Sequence, residues 1–359
     1  MGCFMRWFIV ALAALMGTWL GAVVGCAEGS SETDCPIGTE GCECKESGAC
    51  ADGLSCLSNV CVDTGGTGGI GGIGGAGGNS TGLGANGSGG NNCAAGCRGV
   101  DVVFALDGSL SMSAEINALA AQQAFEEVVT ALAGINCGNI DYRVGVTGDN
   151  DNGWRVPAGW GAPNPWFEST GMDVAQIATA FNESARTLLG STGTSVGCEH
   201  VLSSAVDLLA GDTTGFVRAD AILVLVLVTD VDDYGAYDQV GGNTCGAGCS
   251  TPPPDLQGLY DTLVGLKAGD PAGVAAIVIA GDPAINGGTN MCGQPASCCG
   301  ALGCDVFHAD RLWQFAGLQI GNNGYTSNLC DGPQTIPTVV RDAFSGAIDL
   351  ACQVFEPPR

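Results

Sequence analysis

One apolar run constrains the fold of this chain more than any other feature. Residues 221–229 read AILVLVLVT, so both sides of an extended strand there would be hydrophobic. Such a strand needs cover on both faces, which is typical of a central strand in a parallel sheet flanked by helices. The acid Asp230 follows the run directly. The run therefore predicts an α/β layer architecture with a polar group at one edge of the sheet.

Other strands and amphipathic helices alternate around this run. Strands are predicted at residues 100–106, 141–147 and 274–280, with a short hairpin within 153–169 and an edge strand near Tyr325. This alternation predicts a doubly wound, mostly parallel sheet flanked by helices. Apolar residues at helical spacing predict helices within residues 116–132, 174–188, 199–209, 256–263, 311–318 and 339–355.

Changes in composition divide the chain into five predicted parts. Residues 1–25 read as a lipoprotein signal peptide, and residues 26–34 as a short tether. Six cysteines at residues 35–63 predict a small disulfide-rich module, since so few large apolar residues cannot form a core. Residues 64–92 are Gly-rich and predict a flexible linker. The α/β pattern occupies residues 93–359.

The N-terminus predicts export and a lipid anchor. Arg6 precedes an apolar run at residues 7–24, and Val23-Val24-Gly25-Cys26 resembles the lipobox of bacterial lipoproteins. Acylation of Cys26 would hold the protein at the bacterial cell envelope, with the outer membrane expected first. An ordinary signal peptide, which would make the protein secreted, and an uncleaved anchor are the alternatives.

Charge and cysteine content limit the classes of partner. The chain has 37 acidic and 11 basic residues, a net charge of -26, which excludes nucleic acid and leaves the lipid anchor as the only membrane contact. Twenty cysteines with two histidines indicate disulfides in an oxidising compartment. Cys93 or Cys97 is expected to pair with Cys352. Further cysteines are expected to staple loops at the sheet edge that carries Asp230, either to shape a binding surface or to stabilise the insertions: Cys245, Cys249, Cys292, Cys298, Cys299 and Cys304.

The residues after the first predicted strand offer oxygen ligands. Asp107, Ser109 and Ser111 occupy alternate positions, which an extended backbone places on one side. A carboxylate with two hydroxyls suits a hard cation such as Mg²⁺. The structural alternative for Asp107 and Ser109 is helix capping, because a helix follows and both residue types cap well.

Together with two later loops, this stretch resembles the von Willebrand factor type A domain. That family binds a divalent cation at a metal-ion-dependent adhesion site written Asp-x-Ser-x-Ser, then Thr, then Asp. The resemblance implies that Asp107, Ser109, Ser111, Thr194 and Asp230 hold the cation, with Mg²⁺ expected first and Ca²⁺ or Mn²⁺ as alternatives. It further implies that the open coordination position takes a carboxylate from an extracellular or envelope protein.

Two features depart from the family pattern. The family commonly has Gly after the last acid, whereas Val231, Asp232 and Asp233 follow here. Asp232 and Asp233 are candidates for an additional cation site, or for a solvated acidic turn. Thr192 and Ser195 flank Thr194, which is preferred because it lies at the expected distance before the following helix.

These features predict a binding protein rather than an enzyme. No phosphate-binding loop, dinucleotide fingerprint or Gly-x-Ser-x-Gly elbow is present in the sequence. The expected function is capture of an extracellular ligand through the cation. The alternatives are an envelope protein whose cation only stabilises the fold and, less favoured, a hydrolase in which His200 or His308 activates a serine.

Overall fold

The computed structural model describes residues 45, 54–57, 60–63, 96–149, 153–189, 199–234, 253–290, 293–300 and 303–357. Two compact units divide the chain at residues 86 and 87. The first unit contains strands β1 (Leu54–Leu57) and β2 (Val60–Asp63), which pair antiparallel within the predicted cysteine-rich module.

The second unit carries the α/β domain, whose elements follow in chain order. Its strands are β3 (Gly99–Leu106), β4 (Asp141–Gly148), β5 (Phe167–Glu168), β6 (Ala221–Val228), β7 (Val274–Ala280), β8 (Gly288–Thr289), β9 (Pro295–Gly300), β10 (Gly303–Phe307) and β11 (Gly324–Asn328). Its helices are α1 (Ser113–Leu119), α2 (Gln122–Gly138), α3 (Val174–Arg186), α4 (Val201–Ala210), α5 (Leu256–Leu266), α6 (Asp310–Leu318), α7 (Ile336–Ala343) and α8 (Asp349–Val354), with a π-helical turn at Phe344–Ile348 between the last two.

The main sheet has six strands in the order β11-β7-β6-β3-β4-β5. Every neighbouring pair is parallel except β4 and β5, where Val144 pairs with Phe167 in the antiparallel sense. When these six strands are numbered 1 to 6 in chain order and read across the sheet from β5, their order is 3-2-1-4-5-6, which is that of doubly wound proteins. The prediction of a mostly parallel α/β sheet flanked by helices is confirmed. The order reverses between β3 and β6.

The central strand β6 is buried on both sides, as its sequence predicts. Ile222, Val224, Val226 and Val228 pack with the core on one face of the sheet, which includes residues of α1, α2, α3 and α7. Leu223, Leu225 and Leu227 pack on the other face, which includes residues of α4, α5 and α6. Full burial of such side chains stabilises the fold by about 1.5–3 kcal/mol each.

Helix boundaries follow local backbone signals. The helical pattern at residues 116–132 is divided into α1 and α2 at Ala121, whose ψ of 130° is extended. Asp173 caps α3 in a capping box, because its side chain accepts from the Gln176 amide while the Gln176 side chain accepts from the Asp173 amide. None of the helices described is long and apolar enough to cross a membrane.

Disulfides are present in the α/β domain. Of the two pairings expected for Cys352, the structure contains Cys97–Cys352. Cys299–Cys304 links β9 to β10, and Cys298–Cys330 ties β9 to the 3-10 turn after β11. The segment that contains β8, β9 and β10 is an insertion between β7 and α6. It folds as a three-stranded antiparallel sheet in the order β10-β9-β8, which the sequence patterns did not predict. Cys26, Cys93, Cys245, Cys249 and Cys292 lie outside the described residues.

Candidate cation site at the ends of the central strands

The candidate site lies where β3, β4 and β6 end together. Leu106, the last residue of β3, pairs with Val228 of β6 and Gly148 of β4. The Asp107 amide extends the ladder by donating to the Val228 carbonyl at 3.0 Å. Ligands of doubly wound sheets bind beyond the carboxyl ends of the strands, at the point where the strand order reverses. Asp107 is therefore at the position where this architecture places a ligand.

Side chains of the Asp-x-Ser-x-Ser loop contact one another. The Ser109 amide donates to Asp107 Oδ1 at 2.8 Å, and the hydroxyls of Ser109 and Ser111 are 2.8 Å apart. Helix α1 has Met112 at its N-cap, with no side-chain capping bond. Asp107 and Ser109 thus fold the loop on itself and do not cap α1.

Asp230 joins this group from the end of β6. Its carboxylate lies close enough to the Ser111 hydroxyl and the Asp107 carboxylate for both groups to act on its pKa. Asp107, Ser109, Ser111 and Asp230 consequently form one connected set, assembled from two strand ends. Thr194, the remaining residue implied by the family resemblance, lies outside the described residues.

The two acids of this set are buried among further negative charges. Burial raises the pKa of Asp107, and the charge of Asp149 raises it further, although hydrogen bonds from Ser109 and Thr229 oppose the shift. Burial also raises the pKa of Asp230 well above its ordinary value, and the charges of Asp107 and Glu199 add to that effect. An external cation would favour the deprotonated form of both groups.

Asp232 and Asp233 have clear structural partners. The Asp232 carboxylate accepts from the amides of Arg311 and Leu312 at the start of α6, at 2.9 and 3.1 Å. The Asp233 carboxylate accepts from the amides of Leu202 and Ser203 at the start of α4, at 2.9 and 3.0 Å, and from the Ser203 hydroxyl at 2.5 Å.

Each carboxylate therefore satisfies amides at the positive end of a helix. Burial nevertheless raises the pKa of Asp232 to about 7, and it raises the pKa of Asp233 as well. Both side chains are almost completely buried, so the expectation of a solvated acidic turn is wrong. An additional cation at this pair stays a prediction.

Three further residues contribute to the site and were not predicted from the sequence. Thr229 donates its hydroxyl to Asp107 Oδ2 at 2.8 Å and so fixes that carboxylate. Asp149 accepts from the Gly108 amide at 3.0 Å, and the charge of Glu199 acts on Asp230. Asp149 was recognisable in principle, because it closely follows a predicted strand. The position of Glu199 depends on how the chain before α4 returns to the sheet, which no local pattern indicates.

The disulfide-linked insertion reaches the same edge of the sheet. The Phe307 amide at the end of β10 donates to the Asp230 carbonyl at 2.8 Å. A Cβ atom on Gly281 would lie 1.9 Å from the Phe307 carbonyl oxygen, so only glycine permits this approach. The insertion thus borders the loop that carries Asp230.

The donor set fits a hard cation. In the described part of the chain, no three His, Cys, Asp or Glu side chains are grouped so that they could hold a metal ion. The set at the strand ends instead combines two carboxylates with the hydroxyls of Ser109 and Ser111, which are oxygen donors of the kind that suits Mg²⁺, Ca²⁺ or Mn²⁺. The acids are buried while Ser111 is exposed, so an ion held here would face solvent on one side.

A separate open cavity of about 730 Å³ lies beside α3. Its walls include Trp160, Trp166, Met172, Gln176 and Glu183. None of its lining residues belongs to the strand-end site.

Comparisons with known proteins give little beyond the geometry. No family model matches the chain, and no curated protein matches it. Among solved structures, the pilus adhesin SpaC from Lactobacillus rhamnosus GG in an open conformation is similar at 17% identity and a TM-score of 0.32. The match covers 70% of this chain and 30% of the adhesin. At this score the similarity supports no conclusion about fold or function.

Proposed function

We propose that the α/β domain is of the von Willebrand factor type A kind and binds an extracellular or envelope protein through a divalent cation. Asp107, Ser109, Ser111, Thr194 and Asp230 would hold the ion. The observation that carries the proposal is the connected set of acids and hydroxyls at the point where the strand order reverses.

The arrangement gives each side chain a distinct task. Asp107 and Asp230 supply negative charge from the buried side of the site, while Ser109 and Ser111 supply neutral oxygens nearer the surface. When bound, the cation supplies a Lewis-acidic position that favours an external carboxylate. Thr229 and the Ser109 amide hold the Asp107 carboxylate so that it cannot turn away.

The surface around the site suits recognition of a protein. Leu110, between the two serines, is 76% exposed and would contact an apolar group beside the partner's carboxylate. The lipid anchor and the Gly-rich linker expected from the sequence would present the domain away from the envelope surface.

Titration with Mg²⁺, Ca²⁺ or Mn²⁺ tests the cation site directly. Asp107→Ala is expected to abolish the binding heat in isothermal calorimetry, because it removes a buried carboxylate of the connected set. Asp282→Ala is the matched control, since Asp282 lies after β7 and its carboxylate accepts from the nearby Ala284 amide. Equal binding by the wild type and Asp107→Ala would contradict the proposal.

Paired peptide arrays test the binding role. Arrays that differ only by Glu or Gln at one position are expected to retain the protein on the Glu member, in Mg²⁺ and not in chelator. If cations raise the melting temperature but no Glu-dependent retention occurs, the ion serves stability only and the binding proposal fails. Hydrolysis that persists in chelator and is lost in Ser109→Ala would instead indicate a hydrolase.

A further inference from the structure

Asp149 is a buried acid that the family motif does not include. It directly follows β4, whose last residue Gly148 pairs with Leu106 of β3, so Asp149 and Asp107 occupy equivalent positions on adjacent strands. Only 4% of Asp149 is exposed. Its Oδ1 atom accepts from the Gly108 amide at 3.0 Å. The carboxylate therefore reaches across from β4 to the loop of the cation site.

The second carboxylate oxygen of Asp149 makes no contact that explains its burial within the described fold. Oδ2 is buried and has no hydrogen-bond partner among the described residues. A buried carboxylate oxygen without a partner costs about 1–3 kcal/mol of stability, which a cation close to it would offset. No described ion pair involves Asp149, Asp107 or Asp230. The charge of Asp149 nevertheless acts on Asp107.

We propose that Asp149 is a positioning residue of the cation site, which raises cation affinity without belonging to the innermost ligand set. This inference rests on the proposed function. Oδ1 accepts from the Gly108 amide and thereby holds the Asp-x-Ser-x-Ser loop in place. The charge and the Oδ2 atom of Asp149 would attract the ion without coordinating it directly. Such outer carboxylates typically change metal affinity by about 10–100-fold. Their placement also agrees with the absence of three grouped acids around one point in the described residues.

Asp149→Asn separates the two tasks of the side chain. The amide keeps an oxygen for the Gly108 amide and removes the charge. We expect the dissociation constants for Mg²⁺ and Ca²⁺ to rise about 10–100-fold in calorimetry of the full-length protein. In chelator, the melting temperature should stay equal to or exceed that of the wild type, because a buried charge beside Asp107 is gone. Asp149→Ala should show the same affinity loss and also a lower melting temperature in chelator.

Asp173→Asn is the matched control. Asp173 also accepts from a backbone amide, that of Gln176 at 2.8 Å, but it caps α3 away from the strand-end site. Its substitution should change stability only. Unchanged cation affinity in Asp149→Asn, with Asp107→Ala inactive in binding, would overturn the role of Asp149 and leave the proposed function intact. A wild type that binds no cation would overturn both.

Discussion

A buried acid lies at each end of strand β3, and the two acids have opposite electrostatic surroundings. Asp101, near the start of the strand, receives the Arg218 backbone amide at 2.7 Å and the Arg218 guanidinium at 2.8 Å. Asp107, just past the other end, receives only neutral donors and lies beside Asp149 and Asp230. Both acids are fully buried. Among the described residues, Asp101 therefore has a positively charged partner, and Asp107 does not.

This difference agrees with the proposed function, in which one end of β3 stabilises the fold and the other binds a cation. The charge of Lys267 also acts on Asp101, and the Lys267 ammonium donates to the carbonyls of Arg218 and Ala221. A buried charge of either sign is tolerated when it is paired and hydrogen-bonded. The acids at the site lack a positively charged partner among the described residues, so an external cation would balance their charge. The comparison can be tested at each end.

The largest effect is expected from Arg218→Met. The change leaves the Asp101 carboxylate buried without its guanidinium, and the free energy of unfolding should fall by about 3 kcal/mol. Urea denaturation should give the same loss in chelator and in Mg²⁺, because this end has no part in cation binding. Arg341→Met is the control, since its pairs with Glu127 and Asp342 are exposed and should contribute under about 1 kcal/mol. A loss that depends on Mg²⁺ would show that this end of β3 also takes part in cation binding.

A smaller effect is expected on the alkaline side, from Lys267. Burial lowers the pKa of Lys267 to about 8, so between that pH and its unfolded value the native state binds fewer protons than the unfolded chain. Stability should therefore rise with pH, by about 2 kcal/mol between pH 8 and 9.5. Chemical denaturation of the wild type and Lys267→Met across this range measures the effect. A parallel rise in Lys267→Met would assign it to other groups.

The smallest effect is expected on the acid side, from Asp230. Its raised pKa means that the native state keeps a proton which the unfolded chain releases, so stability is fully present below the unfolded pKa of about 4 and falls as pH rises through the native value. In chelator, Asp230→Asn should flatten this decline above about pH 4 by about 1 kcal/mol.

Saturating Mg²⁺ should weaken the same decline in the wild type, because a cation favours the ionised carboxylates. Asp173→Asn, far from the strand-end acids, should retain the wild-type slope in both conditions. Identical slopes for the wild type and Asp230→Asn in chelator would show that Asp230 does not titrate in this range.

Local pattern predicted the core of the fold and much of the site. The two-sided apolar sequence of β6 and the run that forms β7 gave those strands nearly to the residue. The acids Asp107 and Asp230 were predicted at one edge because the ends of parallel strands meet there. Their connection through Ser109 and Ser111 agrees with that prediction.

Features that depend on distant segments were not predictable in the same way. The insertion of β8, β9 and β10 has short strands rich in Gly and Cys, without the alternation that marks a half-buried strand. The capping of α4 and α6 by Asp233 and Asp232 joins residues about 30 and 80 positions apart, so no sequence window contains both partners.

The Cys97–Cys352 disulfide has a mechanical consequence. It joins Cys97, just before β3, to Cys352 in α8 across a sequence separation of 255, so a pull on the chain ahead of Cys97 acts on β3 and α8 together. Within β3 this tension would run along the strand, which β4 and β6 hold by parallel ladders on both sides. Those ladders must shear together before the strand slips, and Asp107 directly follows the far end of the strand. Tension on the chain ahead of Cys97 and tension on a ligand at the proposed site would thus act at opposite ends of the same strand.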